Sequence, residues 1–223
     1  MICKTIEFKS KDGLTITANE YKAENPRDYI VLCHRSHFNR GEYQETAPRL
    51  TKLGFSCLAI DQRSGMQVLG VKNETYARAK EQGMNTGYYS AKLDIEAAVD
   101  YAYKKNKSKV ILLGSSYSAS LSLLVALEKY DKIKSVIAYS PGEYFKNINV
   151  RETISNLKLP IYVTSSKEEV TEISKLIEYV DKKYLTHFKP SVEGGHGSRV
   201  LWEKSKGSKE YFDSLTKFLN SIR

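Results

Sequence analysis

Three cysteines in 223 residues are too few for a disulfide framework. Their number is odd, no Cys-x-x-Cys pair occurs, and Cys33 and Cys57 sit inside apolar runs, as buried thiols of sheet strands do. No cluster of metal ligands accompanies them. Long hydrophobic runs are missing as well: none approaches the ~18 residues that a membrane span needs. The opening Met1-Ile2-Cys3-Lys4 has no charged region followed by an apolar stretch, so no signal peptide is expected. A reducing cytoplasm and no membrane partner follow as expectations. Proline is scarce, at 5 residues, and no segment is low in complexity or repeated. Acid is the scarcer charge, 26 Asp and Glu against 35 Lys and Arg, for a net +9. Such a balance raises the question of nucleic acid or an anionic surface. The densest basic run, Lys104, Lys105 and Lys107, is short and falls between a predicted helix and a predicted strand. A lysine-rich surface with interspersed acids is the plainer reading, and no nucleic-acid partner is expected. A modest preference for anionic substrates stays open.

What is present is an alternation of two patterns. Residues 4–9 and 14–20 flank Lys11-Asp12-Gly13 and predict an antiparallel ribbon. Short, continuous apolar runs follow at 29–33, 55–60, 109–113, 135–139 and 160–164, with a weaker one at 184–188. Such runs fit strands covered on both faces. Helical patterns separate them at 43–53, 91–103, 117–129, 169–180 and 209–222. The prediction is one α/β domain over 1–223, with a mostly parallel central sheet, an N-terminal antiparallel ribbon and helices on both faces. Residues 62–90 break the alternation. They are polar and glycine-containing, with room for a short helix at 75–82, and are read as an irregular insertion near the active site.

The most informative stretch is Val110-Ile111-Leu112-Leu113-Gly114-Ser115-Ser116-Tyr117-Ser118. A buried strand enters a turn of small residues and leaves as an apolar helix. A serine on so sharp a turn projects its hydroxyl clear of the sheet, and the close chain crossing needs small residues two before and two after it. Gly114 and Ser118 meet that need around Ser116, the candidate nucleophile. Ser115 fails as the centre because Leu113 would occupy the small position. The N–H of Tyr117, at the helix start, can then receive a developing oxyanion.

His196 lies in Glu193-Gly194-Gly195-His196-Gly197-Ser198, between the last weak strand and the final helix. Flanking glycines let a loop present an imidazole at the carboxyl edge of a sheet, so His196 is the candidate general base. The acid should hydrogen-bond the second imidazole nitrogen and set its tautomer. Three glutamates follow suitable strands. Glu168 is ranked first. Glu169 is second because it begins a helix, where a carboxylate can simply complement the macrodipole. Glu143, after the preceding strand, is third.

Cys33-His34-Arg35-Ser36 leaves a strand directly into a polar loop and resembles the His-Gly-x loop after the third strand of α/β hydrolases. His34 matches the His, Arg35 stands where Gly is common, and the resemblance makes the N–H of Ser36 the second oxyanion donor. Asp61-Gln62-Arg63-Ser64-Gly65 resembles the Asp-x-Arg-Gly turn of the same superfamily, which makes Asp61 and Arg63 structural first. From about residue 28 onward the chain is similar to the dienelactone-hydrolase-like small serine hydrolases. The resemblance implies an α/β-hydrolase fold without a large cap domain, no cofactor and no metal, and a small-molecule acyl substrate: a carboxylic ester, a lactone or a related compound. Peptidase, thioesterase or acyltransferase chemistry with the same triad is the alternative, as is a non-catalytic binding protein on this scaffold. The insertion and residues 140–145 both leave carboxyl ends of parallel strands, where ligands of open α/β sheets bind. Tyr88, Tyr89, Tyr144 and Phe145 are therefore expected to wall the substrate site, with Arg35 or Glu143 as a polar contact.

Overall fold

A computed structural model describes residues 2–222. The chain opens with β1 (Ile2–Lys9) and β2 (Thr15–Lys22), an antiparallel pair joined through Gly13 in a left-handed conformation. Six further strands follow: β3 (Asp28–Cys33), β4 (Phe55–Ile60), β5 (Val110–Ser115), β6 (Ile133–Tyr139), β7 (Ile161–Thr164) and β8 (Leu185–His187). They form one eight-stranded sheet in the order β1-β2-β4-β3-β5-β6-β7-β8. From β4 to β8 every neighbour is parallel, and β2 pairs antiparallel with β4. The α/β-hydrolase fold is thus present, with its N-terminal antiparallel strands, and among the described residues there is no large cap.

The helices are α1 (Thr46–Lys52), α2 (Glu74–Glu81), α3 (Lys92–Asn106), α4 (Tyr117–Glu128), α5 (Val150–Thr153), α6 (Val170–Leu176) and α7 (Ser208–Ser221). Strand side chains alternate between faces, and the two cores divide accordingly. Val31, Cys33, Leu58, Ile60 and Leu112 pack with α3 and α4 through Ile95, Val99 and Leu121. Ile30, Leu32, Cys57, Ala59 and Ile111 pack on the other face with α1 and α7 through Leu50, Leu215 and Phe218. The inner strands β3 to β7 are therefore buried and mostly apolar along their length, which is why they read as runs rather than alternations.

Two segments differ from expectation. α6 covers only Val170–Leu176 of the predicted 169–180, and turns follow it. α5 was not predicted; at four residues it is too short to carry a period. The 62–90 segment contains α2 and a 3-10 turn at Tyr88–Ala91. Asp61 anchors its start by accepting from the N–H groups of Arg40 and Glu74 at 2.9 and 3.0 Å. Arg63 ties it to α3 through Asp94, at 2.7 Å, and to the β1–β2 turn through Asp12, at 2.6 Å. Both residues stiffen the turn, as the resemblance implied.

Candidate active site

Ser116 sits between β5 and α4 with φ 61° and ψ −129°. A non-glycine residue in that conformation is strained by about 1–3 kcal/mol. Its surroundings enforce it. A Cβ on Gly114 would lie 2.4 Å from the Ser118 carbonyl oxygen and 2.6 Å from Ala119 backbone atoms, so only glycine lets α4 cross this close to β5. Ser118 is the other small residue, and its hydroxyl locks the turn. It accepts from the Ser115 N–H at 3.0 Å and donates to the Cys33 carbonyl at 2.8 Å. The Tyr117 N–H is the first of α4 and has no intrahelical acceptor by geometry.

His196 comes from the loop after β8. Its Nε2 accepts from the Ser116 hydroxyl at 2.7 Å, and its Nδ1 is hydrogen-bonded to the Glu169 carboxylate. Glu168, the first-ranked acid, does not make this contact: its side chain is exposed to solvent, and the adjacent residue occupies the place assigned to it. The reason is local. Glu169 is the residue before α6, yet its side chain makes no capping bond there. Instead its Oε2 accepts from the Ser140 hydroxyl at 2.7 Å and the Ser166 N–H at 3.0 Å, which turns Oε1 to the imidazole. Burial raises the Glu169 carboxyl, but the hydrogen bonds from His196 and Ser140 outweigh it and bring it down to about 2. Glu143 is engaged elsewhere, accepting from the Val150 and Arg151 N–H groups at 2.7 and 2.9 Å at the start of α5.

The β3 loop brings His34, Arg35 and Ser36 to the same edge. His34 is fully buried; its Nδ1 meets the Arg35 carbonyl at 2.7 Å, and its Nε2 accepts from the Gln62 N–H at 2.9 Å. Burial lowers His34 to about 4, so it is neutral and fastens the loop. The Arg35 guanidinium donates to the His196 carbonyl at 3.2 Å, while its backbone N–H goes to Glu42 at 2.8 Å. Ser36 follows, half-buried.

The aromatic residues divide. Tyr88 stacks on Tyr117 at 4.5 Å, and the Tyr117 hydroxyl accepts from Gln62 Nε2 at 2.7 Å. Tyr144 donates to the Ser140 carbonyl at 3.1 Å. Burial pushes its phenol up, while the neighbouring Ser116 hydroxyl acts in the opposite sense. Tyr89 meets Phe145 edge to face at 5.7 Å, joining the 62–90 segment to the loop after β6. Phe145 itself belongs to the core, with 7% of its surface exposed. Two open clefts adjoin these residues. One, of about 560 Å³, is lined by Tyr144, Glu143, Glu169 and Glu172. The other, of about 370 Å³, is lined by His37, Ser64, Met66, Tyr76 and Tyr88. The sequence reading missed Ser140, which holds Glu169, and Glu42, Ser115 and Ser198, which bond to one another. Short polar residues in loops carry no period that would single them out.

Comparison with known proteins agrees with this fold. The family model described as serine aminopeptidase S33 matches residues 24–199. No curated protein matches the chain. Among solved structures, the chain superposes on a dienelactone hydrolase from Anabaena variabilis with a TM-score of 0.73 at 14% identity, covering 99% of this chain and 97% of that one. It superposes on an esterase from Pyrococcus furiosus with a TM-score of 0.74 at 18% identity, covering 99% and 92%. A carboxyl esterase from Bacillus coagulans gives 0.73 at 12% identity, covering 100% and 99%. At such identities these likenesses speak to fold alone. The family match spans well over half of the sequence, and the chain belongs to the S33 serine aminopeptidase family of α/β hydrolases.

Proposed function

We propose that the chain is a serine hydrolase of carboxylic esters, lactones or related small acyl compounds, acting through an acyl-enzyme on Ser116. The observation that carries this reading is the unbroken run from the Ser116 hydroxyl to His196 Nε2 and from Nδ1 to Glu169. In this reading His196 takes the hydroxyl proton as Ser116 attacks the carbonyl carbon. Glu169 fixes the tautomer and stabilises the imidazolium. The N–H groups of Tyr117 and Ser36 hold the oxyanion. Collapse of the tetrahedral adduct expels the alcohol, which takes its proton from His196. A water, deprotonated by the same imidazole, then releases the acid and restores Ser116. Tyr144 and Tyr88 border the acyl site, and Arg35 faces it from the β3 loop. The free thiols of Cys33 and Cys57 suit a cytoplasmic setting.

The name of the matching family favours a second reading, hydrolysis of an amide at a peptide N-terminus. One panel separates the two: p-nitrophenyl esters, a lactone and aminoacyl-p-nitroanilides. A fluorophosphonate should label Ser116, and Ser116→Ala should remove nearly all turnover on the preferred substrate without unfolding the protein. Label on Ser115 or Ser118, or a Ser116→Ala variant of wild-type activity, would refute the assignment.

A further inference from the structure

A second carboxyl, that of Glu42, lies beside the site, bonded to the residue before Ser116 and to the second residue after His196. Glu42 has no exposed surface. No lysine or arginine is ion-paired with it among the described residues. The reaction proposed above does not use it. An unpaired buried carboxylate is costly, and an apolar residue of like volume would serve packing better. Burial pushes its carboxyl up, against the pull of its hydrogen-bond donors.

Those donors come from three loops. Glu42 Oε1 accepts from the Ser115 hydroxyl at 2.8 Å and from the Ser198 hydroxyl at 2.7 Å. Oε2 accepts from the Arg35 N–H at 2.8 Å. The Ser115 oxygen in turn accepts from the Ser198 N–H at 2.9 Å. The backbone carbonyl of Glu42 adds a fourth tie, to Trp202 Nε1 at 2.7 Å. The histidine loop needs such ties. It carries Gly194, Gly195 and Gly197, and glycine leaves the backbone freer than any other residue does. Its approach to the nucleophile turn is close: a Cβ on Gly197 would lie 2.6 Å from Ser115 Oγ.

We propose that Glu42 is a positioning residue whose buried carboxylate holds the nucleophile turn, the histidine loop and the β3 loop in register, so that Ser116, His196 and the Ser36 N–H converge on one carbonyl. The proposal rests on the serine mechanism above. Glu42 touches neither substrate nor reacting atoms; it acts through Ser115, Ser198 and Arg35. Near-attack geometry is sensitive to small displacements, and misplacement by about 1 Å can cost about 100-fold in rate.

Glu42→Gln tests it, because the amide keeps the volume while its NH₂ must face either the Arg35 N–H or the two hydroxyls. Activity on a p-nitrophenyl ester is counted per site titrated with a fluorophosphonate, so unfolded protein does not enter. The expected result is a kcat lowered about 10- to 100-fold, with KM changed by less than about 2-fold. Affinity for an alkylboronic acid, which forms a tetrahedral adduct on serine, should fall by the same factor as kcat/KM. Ser198→Ala should give the same split at smaller size. A Glu42→Gln enzyme with wild-type kcat per titrated site and wild-type boronate affinity overturns the proposal, whatever its melting temperature. If Glu42→Gln does not fold, Ser115→Ala and Ser198→Ala decide: wild-type kcat per site in both overturns it. A wild-type enzyme that no fluorophosphonate labels overturns the serine mechanism itself, and this proposal with it.

Discussion

Two adjacent glutamates precede α6, and one position separates a solvated side chain from one bonded to an imidazole. Helical residues step about 100° around the axis, so neighbours at a helix start cannot serve the same partner. From sequence alone Glu168 ranks above Glu169, because a first-turn carboxylate already has a use against the helix dipole. Glu169 does not make that use with its side chain; Ser140 and Ser166 draw it toward His196. Ser140 could not be foreseen, since its φ of 52° and its position appear only once β6 and β7 are paired. Glu169→Gln should lower turnover by about 10³- to 10⁴-fold, and Glu168→Gln should leave it near wild type. Stability supplies a second readout of the same variant. The folded Glu169 carboxyl stands at about 2 against an ordinary 4.5. Its contribution is therefore complete above pH 4.5 and is lost as pH falls toward 2. In Glu169→Gln the melting temperature should depend less on pH across that window. A Glu168→Gln variant that shows both effects in its place would reverse the assignment.

The strand, turn and helix around Ser116 were the most legible element, and for a physical reason. The chain passes from a run covered on both faces to an apolar helix with only small residues between, and each part leaves its own composition. Gly114 carries the crossing. The atoms that a Cβ would meet there belong to backbone, which cannot swing aside. Gly114→Ala should destabilise the protein by about 3 kcal/mol, at the upper end of overpacking. Gly195→Ala is the matched control, because nothing stands closer than 4.0 Å to its added methyl and its residue is exposed. That variant should stay within about 0.5 kcal/mol of wild type in a denaturant midpoint experiment. Equal losses in the two would remove the special status of the crossing. The histidine loop was legible only as a glycine-flanked histidine. What holds it, the cluster of Glu42, Ser115 and Ser198, joins residues 73 and 156 positions apart and has no signature along the chain.

At the scale of the molecule, the order of elements was readable because a mostly parallel sheet hides both faces of its strands. The surface follows its composition. Many lysines are paired locally, as Lys92 is with Glu96 and Glu128, and Lys129 and Lys132 are with Asp100. The sheet does more than place the loops. The main chain at Ser116 sits where a side chain is disfavoured, and cooperative folding of both cores is what keeps it there. A residue exchanged for glycine normally makes a protein less stable than the same residue exchanged for alanine, because glycine gains more freedom on unfolding. At position 116 the order should invert. Ser116→Gly should melt above Ser116→Ala, since only glycine relaxes at a φ of 61°. The protein would then carry a built-in opposition between heat resistance and turnover, and selection for thermostability alone would drift toward losing the serine proposed as its nucleophile.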